Sequence, residues 1–227
     1  AGPDALREAC KAVGLGDRTG IDLLGETRGV VPTLEWIARW RNPVVWYGGD
    51  TVNFGIGQGE MSASPIQMAN VAAFVANRGI AFRPRLVKAI VEPGAGESRQ
   101  IAPIEEHRYE GSSIFWSSMA SALEAVVNEG TARSAAVQGI QVAGKTGSAE
   151  NRRNHQTHSW FVAYAPAEAP RIAIAVVVEN AGHGGEVAAP IAGQLIARYL
   201  APEGTAAKKS EALADKSAAA ALRPVAR

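Results

Sequence analysis

The four residues Lys145-Thr146-Gly147-Ser148 bring one amine and two hydroxyl groups together around a glycine. On a β-strand, such a set can bind a peptide that ends in a carboxylate and lies along the sheet edge as an added strand. Lys145 supplies positive charge, and the Thr146 and Ser148 hydroxyls can donate to the carboxylate. Gly147 has no side chain, so the ligand backbone can come close. The Ser148 backbone N–H can help to hold the oxyanion that forms when an acyl carbonyl is attacked.

The same residues also complete a second pattern. Gly139 to Thr146 matches the phosphate-binding loop G-x-x-x-x-G-K-[ST], and the apolar segment Ile172 to Val178 is followed by the acid Glu179. A phosphate-binding loop needs flexible residues between a strand and a helix, so that backbone N–H groups and the helix dipole hold the phosphate. Here the loop positions, Ile140 to Ala143, favour an extended strand, and the residues after Thr146 do not begin a strong helix. We therefore interpret the segment as a strand, and a nucleotide-binding protein is the disfavoured alternative.

Helices and strands are predicted on both sides of this segment. A helix begins at Pro65, where Ser64 is the N-cap and Gln67 completes a capping box, and it ends at Gly79. A second helix spans about Ser113 to Asn128. The last third predicts three strands and a final helix: Ile140 to Thr146, Ser159 to Tyr164, Arg171 to Glu179, and Pro190 to about Leu200. This order favours the α+β class, with an antiparallel sheet on which helices pack.

The stretch before residue 60 contains two glycine-rich segments. Tyr47-Gly48-Gly49-Asp50 predicts a break in regular structure, and Gly55 to Gly59 contains too many glycines for a helix or a strand. Between the two strong helices, Ala81 to Val91 predicts an extended segment.

Composition argues against several classes of function. The chain has 23 Lys and Arg against 22 Asp and Glu, a net charge of +1, so nothing indicates nucleic acid or an anionic membrane surface. The single cysteine, Cys10, excludes an intramolecular disulfide and a multi-cysteine metal cage. His155 and His158 have no third ligand near them in sequence, so we expect no metal site, and no cofactor is indicated. His183 is expected to shape a turn, with substrate contact as the alternative. The longest apolar run, Ile172 to Val178, is far shorter than the ~20 residues of a membrane-spanning helix.

Lys-Thr-Gly on a strand is one of three signatures of serine transpeptidases and serine β-lactamases, and the others are S-x-x-K and S-x-N. Around it, five ordered blocks resemble the penicillin-binding protein 2 family, which comprises the elongation-type class B transpeptidases. The blocks are Trp46 to Gly59, Ala63 to Ala69, Val126 to Ala132, Trp160 to Pro166, and Val178 to Gly185. A β-lactamase is disfavoured, because the blocks outside the active site match the transpeptidases.

The resemblance implies a serine-type peptidoglycan D,D-transpeptidase of the penicillin-binding and serine β-lactamase-like fold. In that family a serine attacks the D-Ala-D-Ala bond of a stem peptide, releases D-alanine and passes the acyl group to an acceptor amine, and β-lactams acylate the same serine. The resemblance implies that Lys145 and Ser148 are catalytic, and that Lys145, Thr146, Gly147 and Ser148 bind substrate without a metal. The implied partners are a glycosyltransferase and scaffold proteins of the elongation machinery. The implied location is the periplasmic face of the inner membrane, through an N-terminal anchor that this chain does not include.

The sequence departs from the family in one respect, because it contains neither S-x-x-K nor S-x-N. In the family both elements precede the stretch seen here. We therefore expect residues 1–202 to be the C-terminal portion of an incomplete transpeptidase domain, followed by a disordered Ala-rich tail at 203–227. We expect the chain alone not to react with penicillin and to fold poorly, because one face of its sheet would be exposed. The alternative is a non-catalytic ligand-binding or sensor module that keeps the carboxylate site.

Overall fold

The computed structural model describes residues 2–91, 98–150 and 156–201. Helices and short strands come first, followed by a long helix, three longer strands and a final helix. The elements are α1 (Pro3–Ala12), α2 (Leu34–Ile37), α3 (Gly48–Gly55), α4 (Pro65–Ala76), β1 (Ile80–Phe82), β2 (Ala89–Val91), β3 (Ser98–Gln100), β4 (Glu105–Arg108), α5 (Ser113–Asn128), a 3-10 turn (Arg133–Ala135), β5 (Ala143–Glu150), β6 (Thr157–Ala165), β7 (Ile172–Val178) and α6 (Ala188–Leu200). The expected tail at 203–227 and His155 lie outside the described residues.

The three longest strands form one antiparallel sheet in the order β5-β6-β7. Its register places Lys145 opposite Val162 and Gly147 opposite Trp160. Within the described part of the chain, β5 has β6 on one side and no strand on the other. The predicted α+β class is therefore confirmed, and the Lys-Thr-Gly segment lies on an edge strand.

Strand β5 lies further along the chain than the pattern predicted. It covers Ala143–Glu150, whereas the expected strand ran from Ile140 to Thr146. Cross-strand pairing of Gly147 and Ser148 with β6 carries the strand through the glycine, despite the low strand propensity of that residue. Because the chain continues as a strand after Thr146, the helix that a phosphate-binding loop requires does not form there.

Helix α6 packs on one face of the sheet and forms the main core. It begins two residues before the predicted start at Pro190. Small residues on the helix let it approach closely: a Cβ on Gly193 would lie 3.0 Å from the carbonyl oxygen of Ala135 in the 3-10 turn. The buried members of this core are Val127, Ala132, Ala135, Val142, Phe161, Ala163, Ala165, Ala188, Ala189, Ala192 and Ile196. Such burial contributes ~25 cal/mol for each Å² of apolar surface removed from water.

Helix α4 packs against β6 and β7 from the opposite face of the sheet. The predicted capping box is present: Ser64 Oγ accepts from the Gln67 N–H, and Gln67 Oε1 accepts from the Ser64 N–H (2.8 Å). Gln67 is only 1% exposed, yet its amide donates to the carbonyls of Asp17 (2.8 Å) and Arg28 (2.9 Å). This buried amide thus joins the helix to the N-terminal loops without leaving a polar group unpaired.

Two segments before α5 differ from their predictions. The expected break at residues 47–50 is wrong, because α3 begins at Gly48. The Asp50 carboxylate accepts from the Tyr47 N–H (2.8 Å) and from two nitrogens of Arg41 (2.6 and 3.0 Å), so it satisfies the helix start despite the two glycines. The expected extended segment, residues 81–91, contains only the end of β1 and the short strand β2.

Candidate active site

The side chains of the Lys-Thr-Gly-Ser segment alternate between the two faces of the sheet. Residues that lie opposite each other in an antiparallel pair share a face, so Lys145 lies on the face of Val162 and Thr146 on the face of Phe161. Lys145 is exposed, and its Nζ donates to the Thr146 carbonyl (2.8 Å). A ligand that contacts both the amine and the hydroxyls must therefore lie along the strand edge.

Both hydroxyls of the segment have partners from other parts of the chain. Thr146 Oγ1 lies 2.8 Å from Thr131 Oγ1, and Ser148 Oγ lies 3.4 Å from Nδ1 of His183. Thr131 was not predicted as a site residue. Its place in the family-like block Val126 to Ala132, which precedes the strand along the chain, was the available signal.

The loop after β7 is held against the sheet by Ser159. This buried hydroxyl donates to the His183 carbonyl (3.0 Å) and accepts from the Ala188 N–H (3.0 Å) at the start of α6. Thr157 Oγ1 also donates to the Gly182 carbonyl (2.9 Å). The position of His183 beside β5 therefore depends on side chains of β6.

Glycines let the same loop lie flat on the strands. A Cβ on Gly184 would lie 2.2 Å from the carbonyl oxygen of Trp160 and 2.5 Å from that of Gly147. A Cβ on Gly185 would lie 2.1 Å from the Thr131 carbonyl oxygen. Only residues without a side chain can approach backbone this closely.

A cavity of about 450 Å³ opens on the Lys145 face, beside the edge of β5. Met68, Trp160 and Val162 form its apolar part, and Gln58 lies where the cavity meets the strand edge. Its volume is in the range of small-molecule and peptide-end sites, which pair an apolar lining with a few polar groups. Trp160 and Val162 are half-buried, so this face of the sheet is partly open.

The surroundings of the strand contain further ionisable groups. Burial, together with the Glu124 carboxylate, raises the pKa of Tyr164, which lies on the Lys145 face opposite Ala143. Tyr164 is thus a neutral phenol at neutral pH. His158 Nδ1 accepts from the Asn180 N–H (3.1 Å), which indicates a structural role at the turn after β7. Among the described residues, no group of three or more His, Cys, Asp or Glu is placed to hold a metal ion.

Residues 1–197 match the family model of the penicillin-binding protein transpeptidase domain. The chain belongs to this transpeptidase family. Known relatives support the assignment. The chain is 35% identical over 201 residues to the peptidoglycan D,D-transpeptidase MrdA of Acinetobacter baumannii, with 82% of this chain and 30% of the relative covered. It is 33% identical over 220 residues to MrdA of Escherichia coli K12, with 88% of this chain and 33% of the relative covered.

Solved transpeptidase structures have the same fold. The crystal structure of Pseudomonas aeruginosa PBP2 in complex with WCK 5153 superposes with a TM-score of 0.74 at 36% identity, covering 89% of this chain and 45% of the other. The ceftriaxone acyl-enzyme of penicillin-binding protein A from Mycobacterium tuberculosis superposes with a TM-score of 0.70 at 28% identity, covering 85% of this chain and 42% of the other. This transpeptidase chain spans about a third of the length of the MrdA relatives. The resemblance to the penicillin-binding protein 2 group is thereby confirmed.

The geometry supplies only part of the chemistry of a serine transpeptidase. Strand β5 offers a cation, two hydroxyls and a backbone edge that pairs with no strand in the described part of the chain, which suit recognition of a peptide carboxylate. The sequence contains no S-x-x-K. A serine activated by a lysine at that spacing is therefore not among these 227 residues.

Helices α1 to α6 are too short or too polar to cross a membrane, as are all helical segments of the described ranges.

Proposed function

We propose that the protein containing this chain is a serine-type D,D-transpeptidase that cross-links peptidoglycan stem peptides during cell elongation. One observation carries the proposal: Lys145, Thr146 and Ser148 lie in succession along a strand edge that has no neighbouring strand among the described residues and that borders a cavity of about 450 Å³. The MrdA relatives, which are named peptidoglycan D,D-transpeptidases, support it.

In this proposal the donor stem peptide lies along the edge of β5. Lys145 and the Thr146 hydroxyl bind its terminal carboxylate, together with the Ser148 hydroxyl. The Ser148 carbonyl accepts from Gln58, which lies beyond the strand edge, so the backbone of Ser148 faces outward. Its N–H then points the same way and can donate to the oxyanion at the scissile carbonyl. Gly147 keeps the edge open to the peptide backbone.

The chemical steps require a nucleophile from another part of the protein. The serine oxygen forms a bond to the scissile carbonyl carbon, and the bond to D-alanine breaks as its amine takes up a proton. An acceptor amine then attacks the ester, the serine regains its proton, and the cross-link is made. A β-lactam presents a comparable carbonyl and carboxylate, so we propose that the same serine is acylated by penicillins.

Partners and location are part of the same proposal, and the resemblance to the transpeptidase relatives supports them. A similar structure contains PBP2 of Helicobacter pylori together with MreC, and another describes polymerization and crosslinking by a peptidoglycan synthase complex. We propose that this protein likewise works with a scaffold protein and a glycosyltransferase. It would do so at the periplasmic face of the inner membrane.

The test uses an antibody raised against residues 205–227 and cells treated with fluorescent penicillin. We expect one band well above 23.7 kDa, the mass of this chain, that is both fluorescent and antibody-positive. Prior treatment with unlabelled penicillin should remove the fluorescence. An unlabelled band at 23.7 kDa would contradict the proposal and favour the non-catalytic binding module.

A pair of variants tests whether penicillin labelling depends on strand β5. Lys145→Ala removes the cation at the carboxylate position, and we expect labelling at least ten-fold slower, because charge-assisted hydrogen bonds contribute ~1.5–3 kcal/mol. Lys88→Ala, at another exposed lysine, should label at the wild-type rate. Equal rates for all three proteins would exclude a role for Lys145 in binding.

A further inference from the structure

The side chain of Gln58 occupies part of the β5 edge. Its Nε2 donates to the Ser148 carbonyl (2.9 Å), and its Oε1 accepts from the Glu150 N–H (3.4 Å). The carbonyl of one residue and the N–H of the second residue after it point to the same side of a strand. The amide group of Gln58 therefore bonds to both backbone groups, the Ser148 carbonyl and the Glu150 N–H, that a neighbouring strand would use.

The local structure presents Gln58 to this edge. Helix α3 ends at Gly55, and the Gln58 N–H donates back to the Asn53 carbonyl (2.8 Å). The flanking glycines have positive φ values, +75° at Gly57 and +76° at Gly59. Glycine adopts this left-handed backbone without the steric cost that other residues carry. The tight turn aims the Gln58 side chain at β5, and the side chain is half-buried there.

The direction of the donor peptide places its earlier residues beside Gln58. If the terminal carboxylate lies at Lys145 and Thr146, and the scissile carbonyl at the Ser148 N–H, the preceding residues run toward Glu150. The peptide is then antiparallel to β5, and the carbonyl two residues before the scissile residue would pair with the Glu150 N–H. Gln58 Oε1 already accepts from that N–H.

We propose that Gln58 is a specificity-determining residue that limits the main-chain hydrogen bonds between the donor peptide and β5 to Ser148. Main-chain pairing with β5 then covers only the residue that carries the scissile carbonyl. The Ser148 carbonyl has a second lone pair, so an amide of the scissile residue can still donate to it. This inference rests on the proposed transpeptidase function.

The test compares donors of two lengths on the full-length protein. Both are depsipeptides that end in D-Ala-D-lactate, and the longer one carries two further residues. The quantity measured is kcat/KM for acylation, expressed as the ratio of the long to the short donor. This ratio is internal to each variant, so a general loss of activity cancels. For the wild type we expect a ratio near one.

Removal of the Gln58 amide should let a longer donor peptide pair with β5 beyond Ser148. In Gln58→Ala the Glu150 N–H is free to pair with the added carbonyl, and we expect the ratio to rise about five-fold, the effect of one net hydrogen bond. Gln58→Asn, whose amide is one methylene shorter, should raise it as well and provides a second variant if the first fails to fold. A long donor with a methylene group in place of the pairing carbonyl should show no rise. Gln100→Ala, at an exposed strand position, should match the wild type.

The outcomes separate the two proposals. Equal ratios for the wild type and both Gln58 variants would overturn the role of Gln58, while acylation itself would still support the transpeptidase. A wild-type protein that is acylated neither by the depsipeptides nor by penicillin would overturn the proposed function instead.

Discussion

The hydroxyl of Ser148 lies 3.4 Å from Nδ1 of His183, although 35 residues separate them in the chain. The contact joins the edge strand β5 to the loop after β7, and that loop is itself held by β6 through Ser159. The hydroxyl expected to bind the substrate carboxylate therefore has a hydrogen-bond partner from a distant part of the chain.

His183→Ala tests this partner. We expect the rate of acylation of the full-length protein by penicillin to fall about two- to five-fold, because the long contact belongs to the weak end of neutral hydrogen bonds, ~0.5–1 kcal/mol. Stopped-flow measurement with a chromogenic penicillin gives the rate. His107→Ala, on the exposed strand β4, serves as the control. An unchanged rate for the His183 variant would mean that the contact does not orient Ser148.

Ser159→Ala should destabilise the domain. The change leaves the buried N–H of Ala188 without its partner, which costs about 1–2 kcal/mol, while the His183 carbonyl still accepts from the N–H groups of Glu186 (3.1 Å) and Val187 (3.3 Å). Thermal unfolding of the full-length protein measures the loss. Ser117→Ala removes an exposed hydroxyl on α5 and should cost less than about 0.5 kcal/mol. Equal melting temperatures for the two variants would refute the role of Ser159.

Gly184→Ala should disturb strand β5, because Gly184 packs on the face of the sheet opposite to the Lys145 side chain. The new Cβ would lie 2.2 Å from the carbonyl oxygen of Trp160, so the loop or the strand must shift, at a cost of about 1–3 kcal/mol. We expect a lower melting temperature and slower penicillin acylation. Gly49→Ala, in open space on α3, should keep both at the wild-type level. A Gly184 variant that behaves like this control would show that the loop has room to adjust.

The ion pair of Arg41 and Asp50 predicts a pH dependence of stability. Hydrogen bonds from Arg41 hold the pKa of the Asp50 carboxyl below its usual range. The pair therefore adds stability above the ordinary Asp pKa of about 3.9, and this contribution is lost as the pH falls through the lowered folded-state pKa.

Asp50→Asn should accordingly melt at a lower temperature than the wild type at pH 7. The gap should begin to shrink as the pH falls below about 3.9, where the unfolded chain takes up the proton, and it should be lost below the lowered folded-state pKa, where the native carboxylate is protonated too. Melting curves from pH 7 to pH 2 provide the measurement, with the exposed Asp22→Asn as the control for charge removal. A gap that does not change with pH would mean that the ion pair contributes nothing.

The 227-residue chain by itself should not be acylated. It contains no S-x-x-K, so no serine has a lysine at the spacing that activates the nucleophile in this family. Intact-mass spectrometry after incubation with penicillin should show the unmodified mass, with the full-length protein as the positive control. A covalent adduct on any residue of the chain would contradict the prediction.

Local sequence determined several elements of this protein. The capping box of Ser64 and Gln67 marks the start of α4, and the apolar stripe of α5 gives its bounds at Ser113 and Asn128. The lack of a helix start after Thr146 disfavoured a phosphate-binding loop, and the chain does continue there as β5, although this strand begins at Ala143 rather than at Ile140. These features depend on neighbours within one or two turns or a few strand residues, so the pattern is sufficient to predict them. The ordered blocks also carried the family resemblance.

Only the tertiary structure decided the composition of the site. Thr131, His183 and Gln58 reach β5 from three separate parts of the chain, and their spacing in sequence does not show which group of the strand each side chain contacts. The helix at Gly48 likewise forms against local glycine propensity, because Arg41 and Asp50 meet there. Contacts between distant residues satisfy backbone and side-chain groups that short-range propensity leaves open, and these contacts complete the candidate active site.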